Sequence, residues 1–389
     1  MARLSDVCNI QAGGTPSRSY VEYWKDGNIP WVKISDIKGK KLYITEEKIT
    51  ELGLEKSSAK LFPKGTILYS IFATLGEVAI LDIDATTNQA IAGLQLIDDS
   101  VLPDYLYYFL VSKKDFVNNI GRGVAQNNIN LKILRDMAIT IPSKKEQKDI
   151  ILRLNTINQS IEWRKQQLSK LDELVKARFV EMFGDPVIND RGWLIDKLGN
   201  YMTTLTDFSA NGSYELLDSN VVMYDEPNYA IMVRTTDLES GDLTSGVKYI
   251  DESAYKLLDK SKLFGGELIM NKIGSAGKIY VMPHIHHPAS LGRNAFMFRF
   301  DSRLNMTYLY ALLTSDYGVN EIQQYVRGAV TKTITKDSTR SIRIIVPPIE
   351  LQKQFTSFVE QIDKSKFEVQ QSLEKLETLK KSLMQQYFG

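Results

Sequence analysis

The stretch that decides the fold is Ile141 to Gly184, IPSKKEQKDIILRLNTINQSIEWRKQQLSKLDELVKARFVEMFG, because Val346 to Gly389, VPPIELQKQFTSFVEQIDKSKFEVQQSLEKLETLKKSLMQQYFG, lies over it without a gap. Identities fall at Pro142/Pro347, Gln147/Gln352, Lys148/Lys353, Ile157/Ile362, Leu168/Leu373, Lys170/Lys375, Leu171/Leu376, Leu174/Leu379, Phe183/Phe388 and Gly184/Gly389, among others. Each copy opens at a proline and closes on Phe-Gly, which are helix breakers at both ends of a helical stretch. Within each copy apolar residues alternate by four and three, the period of a helix packed along one seam. The first seam reads Ile150, Leu154, Ile157, Ile161, Arg164, Leu168, Leu171, Val175, Arg178, Met182. The second reads Phe355, Val359, Ile362, Lys366, Val369, Leu373, Leu376, Lys380, Leu383, Tyr387. The charged interruptions of the two copies do not coincide in the alignment: Arg164 matches Val369, and Lys366 matches Ile161. Burying each aliphatic side chain stabilises by roughly 1.5 to 3 kcal/mol, so the two stripes are expected to cover each other as an antiparallel coiled coil rather than lie on two separate domains.

Working outward, the segments before each helix repeat more loosely. Val32-Lys33-Ile34-Ser35-Asp36-Ile37 pairs with Val233-Arg234-Thr235-Thr236-Asp237-Leu238, Gly65 to Ser70 with Gly266 to Asn271, Gly76 with Gly277, and Arg122-Gly123-Val124 with Arg327-Gly328-Ala329. The expected fold class is α+β with a pseudo-twofold internal repeat, two globules alternating with two long helices. Its expected parts are residues 1–140, the helix 141–184, residues 185–345 and the helix 346–389. Strands are expected over Thr66 to Ile71 and Glu77 to Leu81, and one helix over Pro103 to Asn119.

The chain of 389 residues is 43% hydrophobic and 24% charged, ordinary globular proportions. One cysteine, Cys8, excludes an internal disulfide and a multi-cysteine zinc site, and its apolar surroundings predict a small core residue. A net charge of +1 neither demands nor excludes a nucleic-acid partner. No run approaches the ~18 apolar residues of a membrane span, and Met1-Ala2-Arg3-Leu4-Ser5-Asp6 lacks the apolar core of a secretory signal, so no membrane partner and a cytoplasmic location are expected.

Catalytic signatures are weak. Val346-Pro347-Pro348-Ile349 lacks both ends of an amine-methylating loop, and no glycine-rich phosphate or dinucleotide loop occurs. Asp104 with Glu146 and Lys148 has the residue types of a metal-dependent nuclease, but Glu146 opens a helix, where the macrodipole already favours a carboxylate. His284, His286 and His287 lie between Pro283 and Pro288 with no neighbouring carboxylate or cysteine to complete a metal shell, and read as a solvated loop. Neither a metal nor a cofactor is expected in this chain.

The ordered motifs resemble the specificity subunits of type I restriction-modification systems along essentially the whole chain. Gly13-Gly14-Thr15-Pro16-Ser17, then Tyr23-Trp24 and Gly27-Asn28-Ile29-Pro30-Trp31, look like the opening of a target recognition domain of that family. Asn127-Asn128-Ile129-Asn130 running into Ile139-Thr140-Ile141-Pro142 looks like its exit, and Met182-Phe183-Gly184-Asp185-Pro186 like the link to a second such domain. The second globule has Phe208-Ser209-Ala210-Asn211-Gly212-Ser213 in place of Gly-Gly-Thr-Pro-Ser, which looks like another class of recognition domain and implies an asymmetric target.

The resemblance implies a non-catalytic reader of double-stranded DNA with a two-part site, each globule reading one part. Its paired helices would be spacer and docking surface for two modification (methyltransferase) subunits, with restriction subunits joining the assembly. S-adenosylmethionine, and ATP with magnesium for restriction, would belong to those partners. A coiled-coil assembly protein whose globules bind protein is the alternative. Arginine reads guanine, asparagine and glutamine read adenine, and lysine mostly meets phosphate. The candidate DNA contacts are therefore Arg18, Lys33, Lys38, Arg122, Gln126 and Asn127 in the first globule. In the second they are Arg234, Lys272, Arg293, Asn294, Arg327, Lys332 and Thr333.

Overall fold

The computed structural model describes residues 1–121 and 128–389. The chain divides into two units, residues 1–166 with 370–389, and residues 167–369. Each unit thus holds the start of one long helix and the end of the other.

In the first unit the chain runs β1 (Ala2–Arg3), α1 (Leu4–Val7), β2 (Cys8–Ala12), β3 (Ile29–Val32), β4 (Lys41–Leu42), β5 (Glu47–Ile49), α2 (Glu51–Glu55), β6 (Ile67–Ser70), β7 (Val78–Leu81), β8 (Thr86–Thr87) and β9 (Ile91–Leu96). It continues through α3 (Pro103–Ser112), α4 (Lys114–Gly121), α5 (Leu131–Arg135) and β10 (Ala138–Ile139) into the helix α6 (Lys144–Phe183). One sheet has the order β2-β9-β6-β7-β4 and a smaller one β5-β3-β8.

The second unit repeats this plan with β11 (Leu194–Lys197), β12 (Met202–Asp207), α7 (Tyr214–Asn220), β13 (Ala230–Val233), α8 (Thr235–Ser240), β14 (Lys248–Ile250), α9 (Glu252–Leu257), β15 (Lys262–Leu263), β16 (Leu268–Asn271), β17 (Ile279–Val281), β18 (Ala289–Leu291) and β19 (Ala295–Phe300). After them come α10 (Met306–Thr314), α11 (Asp316–Gln323), α12 (Lys336–Ser341), β20 (Arg343–Val346) and α13 (Ile349–Phe388). Its sheets are β12-β19-β16-β17 and β14-β13-β18-β15. In both units the smaller sheet has one antiparallel and one parallel pair about its inner strand. The two globules therefore share a core topology, in which β2-β9-β6-β7 matches β12-β19-β16-β17 and β5-β3-β8 matches β14-β13-β18; they differ in β4, which the first main sheet adds, in β15, which the second smaller sheet adds, and in α7, which follows β12 where the sequences depart.

The seam expected from the heptads holds. Ile150, Leu154, Ile157, Ile161, Leu168, Leu171 and Val175 are all buried or half-buried, as are Phe355, Val359, Ile362, Val369, Leu373, Leu376 and Leu383. In the second unit Lys366 pairs with Asp172 at 2.6 Å while the Phe179 and Phe355 rings lie 5.6 Å apart, so one helix ascends as the other descends. In the first unit Leu154 shares a core with Phe388, and Lys380 lies beside Lys165 and Glu162, again antiparallel. Two of the charged interruptions find partners: Lys366 meets Asp172, and Arg178 lies over the Phe358 ring at 5.6 Å.

One helix was expected over Pro103 to Asn119, and two occur, broken at Lys113 (φ −88°, ψ 2°). No proline or glycine marks the break. Its counterpart is Ser315, whose hydroxyl accepts the Gly318 N–H and so ends one helix while capping the next. Cys8 is buried in the first core, which pushes its thiol up to about 12.

Candidate nucleic-acid interface

The paired motifs before the helices are backbone clamps. The Asp36 carboxylate accepts the Lys33 N–H at 2.8 Å, and Asp237 accepts the Arg234 N–H at 2.8 Å. Both carboxylates cap a short helical turn whose first N–H groups have no other intrahelical partner.

Arg234 is further committed, because its guanidinium forks onto the buried Asp237 (2.6 to 3.2 Å) and donates to the Gly246 carbonyl at 2.8 Å. Lys33 is committed likewise to Glu46 at 2.7 Å and Glu47 at 3.0 Å, and its ammonium is held well above the usual lysine range by those hydrogen bonds. Arg18 meets the same Glu47 at 2.6 Å and stacks 3.6 Å over Trp24. Lys38 is exposed, two residues after the turn that Asp36 caps. Arg122, Gln126 and Asn127 lie outside the described residues.

In the second unit the candidates converge. Arg234, Arg293 and Asn294 line a cleft of about 340 Å³ floored by Phe208, Val221 and Met232. The Lys272 N–H donates to the Asn294 carbonyl at 2.9 Å, and the Lys272 carbonyl accepts the Ile334 N–H at 3.1 Å. Gly274 N–H meets the Lys332 carbonyl at 3.0 Å, and Arg327 and Thr333 exchange both backbone bonds at 2.9 and 2.7 Å. Gly328 takes φ +104° to turn this exposed loop, a conformation glycine tolerates. Backbone bonds through Lys272, whose own ammonium is turned to Asp207, thus tie the cleft of Arg234, Arg293 and Asn294 to the exposed loop of Lys332, Thr333 and Arg327.

Sequence reasoning missed Asp207, the buried carboxylate under this surface, which binds Lys272 and Lys336, each at 2.8 Å. Burial alone would raise its carboxyl, but the hydrogen bonds from both lysines outweigh that and hold it below the usual range. No local signal could have found it, since its partners lie 65 and 129 positions away. Also missed were Lys336 itself and, in the first unit, Phe72, which bridges Asn128 as Ile273 bridges Thr333.

The nuclease-like residues do not assemble. Asp104 pairs with Lys40 at 3.1 Å, while the Glu146 carboxylate accepts both the N–H (2.9 Å) and the hydroxyl (2.7 Å) of Ser143 in a capping box that holds it below its ordinary range. His284, His286 and His287 are all exposed. Among the described residues no helix is long and apolar enough to cross a membrane.

The family described as the type I restriction modification DNA specificity domain matches residues 1–173 and 200–380. The type I restriction enzyme MjaIX specificity subunit of Methanocaldococcus jannaschii is 27% identical over 386 residues, covering 92% of this chain and 85% of its own. The EcoKI specificity subunit of Escherichia coli K12 is 20% identical over 414 residues, covering 100% and 88%. Among solved structures, the S subunit of the type I restriction-modification system from M. genitalium superposes with a TM-score of 0.53 at 14% identity, over 100% of this chain and 95% of that one. A chain from a study of complex assembly and conformational transition in the type I R-M system gives 0.62 at 18% identity, over 100% and 96%.

Proposed function

The chain belongs to the type I restriction-modification DNA specificity family, and from that premise we propose that it reads a bipartite, asymmetric site on double-stranded DNA, one part per globule, while its paired helices dock two methyltransferase subunits. It is a non-catalytic specificity subunit. In the proposed assembly, working in the cytoplasm, S-adenosylmethionine belongs to the methyltransferase subunits, and ATP with magnesium to the restriction subunits.

The observation that carries this reading is the repeat of one core topology in two globules, with Arg234, Arg293 and Asn294 lining one cleft of the second and the exposed loop of Arg327, Lys332 and Thr333 bonded to it through the backbone of Lys272. Such residues at irregular loops suit base edges and phosphates. Arg234 is engaged through its whole fork and Lys33 by two carboxylates, whereas Arg293 meets one exposed carboxylate through a single nitrogen, so the weight of recognition falls on Arg293, Asn294, Lys332, Thr333 and Arg327. No particular observation favours protein-binding globules.

The test is an electrophoretic mobility assay with the chain assembled on its methyltransferase partners. Retention of one DNA site over random competitor at rising salt is expected. Failure to bind any DNA at low salt would remove the recognition reading.

A further inference from the structure

The shared topology sets one exposed residue of each globule in the same place. In the first unit the Val32 carbonyl accepts the Asn88 N–H at 3.1 Å, and the Ala90 carbonyl accepts the Ile71 N–H at 2.8 Å. In the second the Val233 carbonyl accepts the Gly292 N–H at 2.8 Å, and the Asn294 carbonyl accepts the Lys272 N–H at 2.9 Å. Between these paired clamps stand Gln89 and Arg293, each one residue short of the strand approach to β9 or β19, and each exposed.

The segment leaving the first strand of the main sheet holds each of them, by different chemistry. After β2, Gly13 and Gly14 press on the loop: their N–H groups donate to the Ile91 and Thr87 carbonyls at 3.0 and 2.9 Å. A Cβ on Gly13 would lie 2.6 Å from the Asn88 carbonyl oxygen, so only glycine fits. That approach brings the Thr15 hydroxyl onto Gln89 Oε1. After β12, Phe208 takes this place and Arg293 lies over its ring at 5.1 Å, with Asp218 holding one guanidinium nitrogen at 3.0 Å. In both, one part of the planar group is anchored and the residue is exposed.

We infer that Gln89 and Arg293 are the matched specificity-determining side chains of the two globules, Gln89 reading an adenine in one half-site and Arg293 a guanine in the other. This rests on the DNA-recognition reading above and deepens it. A glutamine amide can accept from adenine N6 while donating to N7, and a guanidinium can donate to guanine O6 and N7. Thr15 takes one lone pair of Gln89 Oε1 and leaves the second lone pair and the amide N–H groups. Asp218 occupies only one end of the Arg293 fork. The unlike openings of the two globules, Gly-Gly-Thr and Asp-Phe-Ser, then have a purpose: each rigidifies a different reader at one position of a common scaffold.

The experiment assembles the full chain with its methyltransferase subunits, methylates a DNA library randomised across both half-sites, and sequences the modified sites. Parent, Gln89→Arg, Arg293→Gln and Arg293→Lys are compared, with a thermal unfolding curve for each. Arg293→Gln is expected to lower the preference for guanine at one position of one half-site by roughly 10- to 100-fold, leaving the other half unchanged. Gln89→Arg should move an adenine preference in the opposite half. Arg293→Lys should keep the charge and its salt dependence but weaken the guanine preference, because a flexible ammonium lacks the planar fork and its anchoring on Phe208. Unchanged motifs in folded variants would overturn the inference, as would a shift in both halves at once or loss of folding in every variant. A parent assembly that modifies DNA with no motif would instead strike the recognition reading itself.

Discussion

The side-chain oxygen of the fully buried Gln352 accepts the backbone N–H of Asn305 at 2.8 Å. Its amide nitrogen donates to the Pro347 and Arg303 carbonyls at 2.8 and 3.3 Å. Gln147 repeats the clasp, accepting the Leu102 N–H at 2.8 Å and donating to Ser100 and Pro142 at 2.7 and 2.9 Å. In each unit one buried amide thus fastens the first turn of a long helix to the loop before the globule's helical pair. Replacing Gln352 with leucine strands one donor and two acceptors, and should cost about 2 to 3 kcal/mol. Urea unfolding of the full chain measures it, and Gln147→Leu should behave alike; a loss under about 0.5 kcal/mol at both positions would mean water replaces the clasp.

The clasp also explains what could be read from the sequence and what could not. Pro142/Pro347, Gln147/Gln352 and Phe183/Phe388 stood out as identities, and the four-three alternation located the seam, because both are local patterns repeated in register. The reasons behind them are not local. Gln352 serves an N–H 47 positions away, and Phe388 packs on Tyr105, with ring centroids 5.3 Å apart, as Phe183 packs on Tyr308 at 4.7 Å. Gln89 escaped notice because its counterpart is an arginine, and only the hydrogen bonds flanking the pair reveal the equivalence.

Asp207 should make the second unit acid-sensitive. Its carboxyl is lowered in the folded state, so the stabilisation is fully present above the ordinary value of 3.8 and is lost as pH falls through the depressed one. At neutral pH Asp207→Asn should destabilise by about 3 kcal/mol, because Lys272 and Lys336 lose their shared counter-charge. The gap between parent and variant should narrow as denaturant unfolding is repeated from pH 7 towards pH 3. A gap that stays constant would show that the two lysines do not depend on the charge.

Lys380 is a seam position held by a charged residue, half-buried beside Lys165, and burial lowers its ammonium below the usual range. Lys380→Met keeps the length of the side chain and removes the desolvated charge, so stability should rise by roughly 1 kcal/mol. Thermal unfolding reports it. A fall would mean the contact of Lys380 with Glu162 outweighs both burial and repulsion by Lys165.

Arg327 donates to the Gln324 and Val326 carbonyls and is exposed, while its loop is closed by the backbone pair with Thr333. Arg327→Ala should therefore leave the unfolding curve in place and weaken DNA binding by ~1 to 3 kcal/mol if the arginine reads a base. If it meets phosphate, the loss should be uniform across sequences and the salt slope smaller by about one. Unchanged binding would move the reading surface away from this loop.

Exchange of residues 1–140 for the first globule of a relative should change one half of the recognised site and spare the other, since Gln89 travels with the insert and Arg293 does not. The structure adds a condition to this exchange. Gln147 stays behind and needs a backbone N–H and carbonyl where Leu102 and Ser100 now supply them, and Phe388 needs a ring where Tyr105 stands. Donors that keep an aromatic at the position of Tyr105 and the same spacing from it to the helix start should fold and modify DNA at a hybrid site. Donors that lack the spacing should lose stability by the amount measured for Gln147→Leu, and donors that lack the ring by the contact it makes with Phe388, before any question of specificity arises. Sequencing of methylated sites with each chimera decides the matter: a chimera that folds yet alters both halves would show that recognition is not divided between the globules.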